Sequence, residues 1–244
     1  MQLRQATPDD LEAMTEVMVS AFPMDPQWDY RFPLRQEYPK DHWQCTRVML
    51  SGFLRRDHFV VNVIVAPESE DGGGSRNAVS LAVWELQYEE AGELCLPGCD
   101  ERRDANPAHM KAFDGALSAA KQQYFDSVYG DRQVHLWILG THPQYQRHGF
   151  GTKQCVWGME FAKAHAAPVT VFSSPMGGAL YASLGFRTLG QVVVQVEGEE
   201  EKLTIGAMIY EDGRRSSHKY VGGVLGWKHC RLLLSLLRGV GSHP

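Results

Sequence analysis

Hydrophobic positions along this chain recur at two spacings, and the switches between them mark its elements. After a short opening strand, Thr7 precedes Pro8 with Asp10 three places on, which is a helix-start signature. Leu11, Met14, Val17 and Met18 then share one helical face, predicting a helix that ends near Phe22-Pro23. The stretch from there to Trp43 is dense in aromatics and prolines and is assigned no element. A helix is predicted over 41–54, followed by strands over 59–65 and 78–86 with a Gly-rich turn at 71–75 between them. Residues 89–105 read as an irregular loop. A helix over 107–129 follows, with Asn106 as its cap and Met110, Phe113, Leu117, Ala120 and Tyr124 on one stripe. The β-branched and apolar runs at 134–139 and 169–172 predict buried strands, with a helix over 152–166 between them. A short helix over 177–184, stopped by Gly185, leads to hairpin strands at 191–196 and 203–210.

Composition narrows the class. The 244 residues, 43% hydrophobic and 22% charged, suit a globular enzyme that can bury a substantial core. A net charge of −5 argues against a nucleic-acid scaffold. No apolar run is long enough to span a bilayer and the start has no apolar leader. The five cysteines are scattered, and Cys95 and Cys99 lack the second pair that a zinc site needs. A reduced, cytoplasmic protein without metal is the expectation. Residues 1–212 are expected to form one domain with an insertion at 89–131. Residues 213–244 are read as a basic extension, either helical over 227–240 with Leu232, Leu233, Leu236 and Leu237 on its apolar face or without fixed structure.

The chemistry concentrates after the 134–139 run, in Pro143-Gln144-Tyr145-Gln146-Arg147-His148-Gly149-Phe150-Gly151-Thr152. A strand, a turn with two glycines and a helix start place successive backbone N–H groups around one point, which favours a bound phosphate. A dinucleotide fingerprint needs a third glycine where Gln154 stands, and a Walker loop needs Gly-Lys-Ser/Thr where the chain has Gly151-Thr152-Lys153. Neither fits. Gln146-x-x-Gly149-x-Gly151 resembles the [Q/R]-x-x-G-x-[G/A] signature of the GCN5-related N-acetyltransferases (GNAT). Ser173-Ser174-Pro175-Met176-Gly177-Gly178-Ala179-Leu180-Tyr181-Ala182-Ser183-Leu184-Gly185-Phe186 is similar to a second motif of that superfamily, a strand followed by a short helix ending L-Y-x-x-L-G-F. The insertion, and the segment from Ala21 to Pro26, resemble fungal GNAT proteins of unassigned substrate.

The resemblance implies an α/β, or α+β, acyl-CoA N-acyltransferase fold: a central mixed, mostly antiparallel sheet flanked by helices, splayed between its fourth and fifth strands. It implies acetyl-CoA as co-substrate. Backbone at Leu139 and Thr141 would hold the pantetheine arm. Gln146, Arg147, His148, Gly149, Phe150, Gly151 and Thr152 would hold the pyrophosphate, and Ser174 would meet the coenzyme or cap its helix. Tyr181 sits where many members keep the acid that protonates the leaving thiolate; a phenol with pKa near ~10 is protonated at neutral pH and suits that task. His135, fourteen residues before Gly149, lies where several members carry a general base. With strict alternation His135, Trp137 and Leu139 share one face. Glu85 is the second candidate base, or else a solvated strand-end carboxylate; water alone is the third option. The insertion helix is either packed on the sheet or a lid over the acceptor pocket. The expected acceptor is a small-molecule amine, with no nucleic acid or membrane partner and a monomeric or homodimeric enzyme. The alternatives are a protein lysine or N-terminal acetyltransferase and a non-catalytic coenzyme-binding module.

Overall fold

A computed structural model describes residues 1–66, 78–86, 99 and 102–212. The turn at 71–75, most of the loop at 89–105 and the extension at 213–244 lie outside the described residues. In chain order the elements are β1 (Gln2–Gln5), α1 (Leu11–Ala21), α2 (Pro26–Arg31), α3 (Pro39–Leu54), β2 (Phe59–Val65), β3 (Ala78–Glu85), α4 (Pro107–Lys121), α5 (Ser127–Tyr129), β4 (Val134–Thr141), α6 (Phe150–Ala164), β5 (Val169–Ser173), α7 (Pro175–Ser183), β6 (Arg187–Gln195) and β7 (Lys202–Tyr210). One seven-stranded sheet runs in the order β1-β2-β3-β4-β5-β7-β6. All neighbours are antiparallel except β4 and β5. A parallel pair needs a crossover, and α6 supplies it.

Both faces of the sheet are covered, so β2 and β3 read as near-continuous apolar runs rather than alternating ones. On one face α1 and α3 bury Met14, Val17, Leu50 and Phe53 against Val61, Val63, Leu81 and Val83. On the other, α6 and α7 bury Cys155, Ala162 and Tyr181 against Trp84, Leu136 and Val171. A third cluster joins Tyr30 of α2 and Phe113 and Ala120 of α4 to Val192, Val194 and Ile205 of the hairpin. The start of α1 is tied down by Asp10: its carboxylate accepts from Thr7 N at 2.8 Å and from both terminal nitrogens of Arg4 at 2.8 and 2.7 Å.

Three local differences from the expected elements have physical causes. The aromatic stretch contains α2, capped by Asp25, whose Oδ1 accepts from Gln27 N at 2.9 Å, with Pro26 at the first helical position. The helix predicted over 107–129 begins as expected under the Asn106 cap but widens into a π turn at Gln122–Asp126 before α5. It packs on the domain: His109 is stacked on the Tyr30 ring (centroids 4.0 Å apart) and bonds Glu199 of the hairpin turn at 2.7 Å. Finally, β3 pairs Val83 with Ile138 but Trp84 with Leu136, so Trp137 is the extra residue of a bulge. That slip moves Leu139 to the α6 face with Leu136, and corrects the expectation that Leu139 shares a face with His135 and Trp137.

Candidate active site

The site begins where the sheet stops being a sheet. β4 and β5 share three rungs, Val134 with Val169, His135 with Thr170 and Leu136 with Val171, and then diverge. β4 runs on to Thr141 and β5 to Ser173, each still paired on its outer side. Their facing edges between Trp137 and Thr141 carry backbone donors and acceptors open to an extended ligand. Leu139 and Thr141 lie on that edge.

The turn above the splay matches what a pyrophosphate needs. Arg147 and Gly149 both hold positive φ, 66° and 77°, and α6 starts at Phe150. At Gly149 this conformation costs nothing, whereas a side chain would be strained. The first-turn amides of α6, at Phe150, Gly151 and Thr152, have no intrahelical acceptor. Two of the expected side-chain donors brace the loop instead. Gln146 Nε2 donates to Thr141 O at 3.2 Å and His148 Nδ1 donates to Gln146 O at 2.8 Å. Ser174 is the cap of α7, its Oγ accepting from Gly177 N at 3.3 Å.

Tyr181, on α7, is buried against Phe186 and Cys155. Burial, then the nearby Cys155 and Asp25, push its phenol well above the usual value. The hydroxyl therefore keeps its proton at neutral pH, the form that can hydrogen-bond to a developing thiolate. Asp25, the cap of α2, is near enough for its charge to act on Tyr181. The segment before it packs against β4: a Cβ on Gly140 of β4 would come within 3.0 Å of the Phe22 ring. Asp25 is thus a candidate site residue that the motifs did not show. Its helix-capping pattern was visible in the sequence, its place near Tyr181 was not.

The two candidate bases lie side by side, Glu85 of β3 paired with His135 of β4, with Trp137 next to them. His135 is buried and donates Nδ1–H to Thr170 Oγ1 at 2.8 Å, while Thr170 donates to Gln133 Oε1 at 2.8 Å. That leaves Nε2 as the proton-accepting nitrogen. Burial first, and Lys121 second, hold His135 well below the usual histidine value. Glu85 is no solvated strand end; it is 3% exposed. Its Oε2 accepts from Trp137 Nε1 at 3.0 Å and lies 3.5 Å from Lys121 Nζ, while Oε1 is buried without a hydrogen bond. Trp137 is 38% exposed, a large ring turned to open space beside His135. Among the described residues no group of three or more His, Cys, Asp or Glu is placed to hold a metal ion, and no helix is long and apolar enough to cross a membrane.

No family model matches the chain. It is 27% identical over 218 residues to a protein of Stachybotrys chartarum named "Acetyltransferase", covering 86% of this chain and 90% of the relative. Among solved structures, a mosquito protein described as arylalkylamine N-acetyltransferase-like 5b superposes with a TM-score of 0.56 at 16% identity, over 86% of this chain and 98% of that one. A protein of Corynebacterium glutamicum described as "histone acetyltransferase HPA2 and related acetyltransferase" gives a TM-score of 0.53 at 15% identity, over 88% and 98% of the two chains. These two likenesses establish a shared fold.

Proposed function

We propose that this chain, whose fold is that of the acetyltransferases it resembles, is a GNAT acetyltransferase that moves the acetyl group of acetyl-CoA to the primary amine of a small molecule. The observation that carries the proposal is the splay between β4 and β5, with an anion-ready turn at one end and the Tyr181 phenol packed beside it. Acetyl-CoA supplies an activated thioester carbonyl. The open edge around Leu139 and Thr141 pairs with its pantetheine amides, and the α6 amides, with Arg147, meet its pyrophosphate. A β4 backbone N–H polarises the carbonyl as negative charge develops on its oxygen.

The reaction in this reading is direct attack in a ternary complex, a reading supported by His135 standing on β4, the strand that also borders the splay. The amine nitrogen bonds the carbonyl carbon and the carbon–sulfur bond breaks. The amine's proton goes to Nε2 of His135, and Tyr181 gives its proton to the sulfur. Asp25 and Glu85, both buried carboxylates, favour a cationic acceptor, which suits an alkylammonium that sheds its proton on entry. Cys45 and Cys155 are buried free thiols and fit a reducing cytoplasm.

The test is calorimetric titration with acetyl-CoA and coenzyme A, together with thiol release from a panel of small amines and of lysine and N-terminal peptides. Micromolar binding that is lost in Gly149→Glu, with turnover on small amines, is the expected result. Turnover on peptides alone would move the acceptor class to proteins. No binding of acetyl-CoA would remove the acetyltransferase reading.

A further inference from the structure

The insertion brings charge into the middle of the sheet. Lys121, the last residue of α4, is 8% exposed, and an ammonium so buried needs partners. Its partners include Asp126 Oδ1 of the π turn at 3.0 Å and Glu85 Oε2 of β3 at 3.5 Å. Asp126 Oδ1 also accepts from Gln133 Nε2 at 2.8 Å. Gln133 Oε1 in turn accepts from Thr170, and Thr170 accepts from His135 Nδ1. One unbroken set of contacts thus runs from the insertion to both candidate bases. The π turn is what places Asp126 there, five residues along from Lys121.

We propose that Lys121 and Asp126 are positioning residues of the acetyl-transfer site: they clamp Glu85 beside Trp137 and, through Gln133 and Thr170, fix the His135 tautomer that takes the amine's proton. This rests on the acetyltransferase reading. Among the described residues the charged and titratable groups of the cluster include Lys121 from α4, Asp126 from the π turn, Glu85 from β3 and His135 from β4; β5 contributes the neutral Thr170 and Phe172. Lys121 disfavours the His135 imidazolium before the acceptor arrives, so His135 stays ready as a base.

The experiment is a pair of measurements on the full chain. One is the pH profile of kcat/KM with acetyl-CoA and the best amine of the panel; the other is the NMR titration of His135 in protein labelled with 15N-histidine. Lys121→Met should raise the pH at which His135 titrates and move the acid limb of kcat/KM upward, so that the loss is roughly tenfold greater at pH 6 than at pH 8. Lys121→Arg should restore the limb. Asp126→Asn removes a charge of the other sign and should move both readouts downward, which keeps the proposal open to test should Lys121→Met not fold. Equal loss at all pH values with an unmoved His135 titration, in folded variants, would reduce Lys121 to a structural residue and overturn the proposal. Absence of turnover in the wild type would overturn the acetyl-transfer reading and this role with it, whereas turnover with an unmoved titration overturns the role alone.

Discussion

Tyr181 shows how a residue's place decides what its chemistry can be. The same phenol on the surface would be one more aromatic; buried with Cys155 and within reach of the Asp25 charge, it resists ionisation and keeps its proton. Tyr181→Phe removes the oxygen and little of the packing. It is expected to lower kcat roughly 10- to 100-fold with KM for acetyl-CoA little changed, measured by thiol release. An unchanged kcat would show that water protonates the thiolate. Tyr181 was legible in the sequence because a motif surrounds it. Asp25 was not, since its relation to Tyr181 exists only once the α1–α2 connection has packed against β4. His135 was legible as a histidine on a strand, but its fixed tautomer depends on Thr170 and Gln133, neither of which any motif marks. Glu85 was offered as a candidate base or else a solvated strand-end carboxylate, and its burial beside Lys121 removes the second alternative, which a strand-end position had suggested.

Among elements, α4 is the most informative, because it is fastened at both ends by chemistry. Near its start His109 has an oxygen at each ring nitrogen, the Tyr30 carbonyl at 2.7 Å and Glu199 Oε2 at 2.7 Å, an arrangement that favours the imidazolium, in which both nitrogens donate. Burial opposes that charge, but the bonds to Glu199 and Tyr30 outweigh it and hold His109 above its usual range. A raised histidine stabilises the fold fully below its unfolded pKa, near ~6.5, and the contribution is lost as pH rises through the folded value. The urea midpoint should therefore fall between pH 6 and pH 8.5. Glu199→Gln should flatten that slope and cost on the order of 1 kcal/mol at pH 6. A slope unchanged in the variant would mean that other groups set it. The cap and apolar stripe of this helix were visible in the sequence, because local rules govern them. The π turn and the bulge at Trp137 were not, since each inserts one residue without changing which residues are apolar. Strict alternation therefore carried Leu139 to the wrong face.

At the scale of the molecule, Met1–Asp212 forms one compact unit, and the three hydrophobic clusters lie within it. A chain ended after Asp212 is expected to unfold in a single transition and to bind acetyl-CoA as the full chain does. Loss of either would show that 213–244 completes the domain. The order of strands and the place of the turn could be read ahead of the structure, because apolar runs and glycines record them. How the insertion meets the sheet could not, because that depends on packing between segments far apart in sequence. The sheet itself has one soft line. Its two parts, β1 to β4 and β5 with β7 and β6, are stitched by three backbone rungs at one end of β4 and by none at the other. Such a joint behaves as a lever with its pivot at Val134–Leu136. Beyond the last rung β4 extends five residues, an arm of about 16 Å, so that a rotation of about 5° widens the far gap by about 1.4 Å. Stiff strands and a short seam thus make the width of the cleft the dimension along which this sheet yields most easily, and a guest lying in it would set that width as a wedge sets the opening of a hinge.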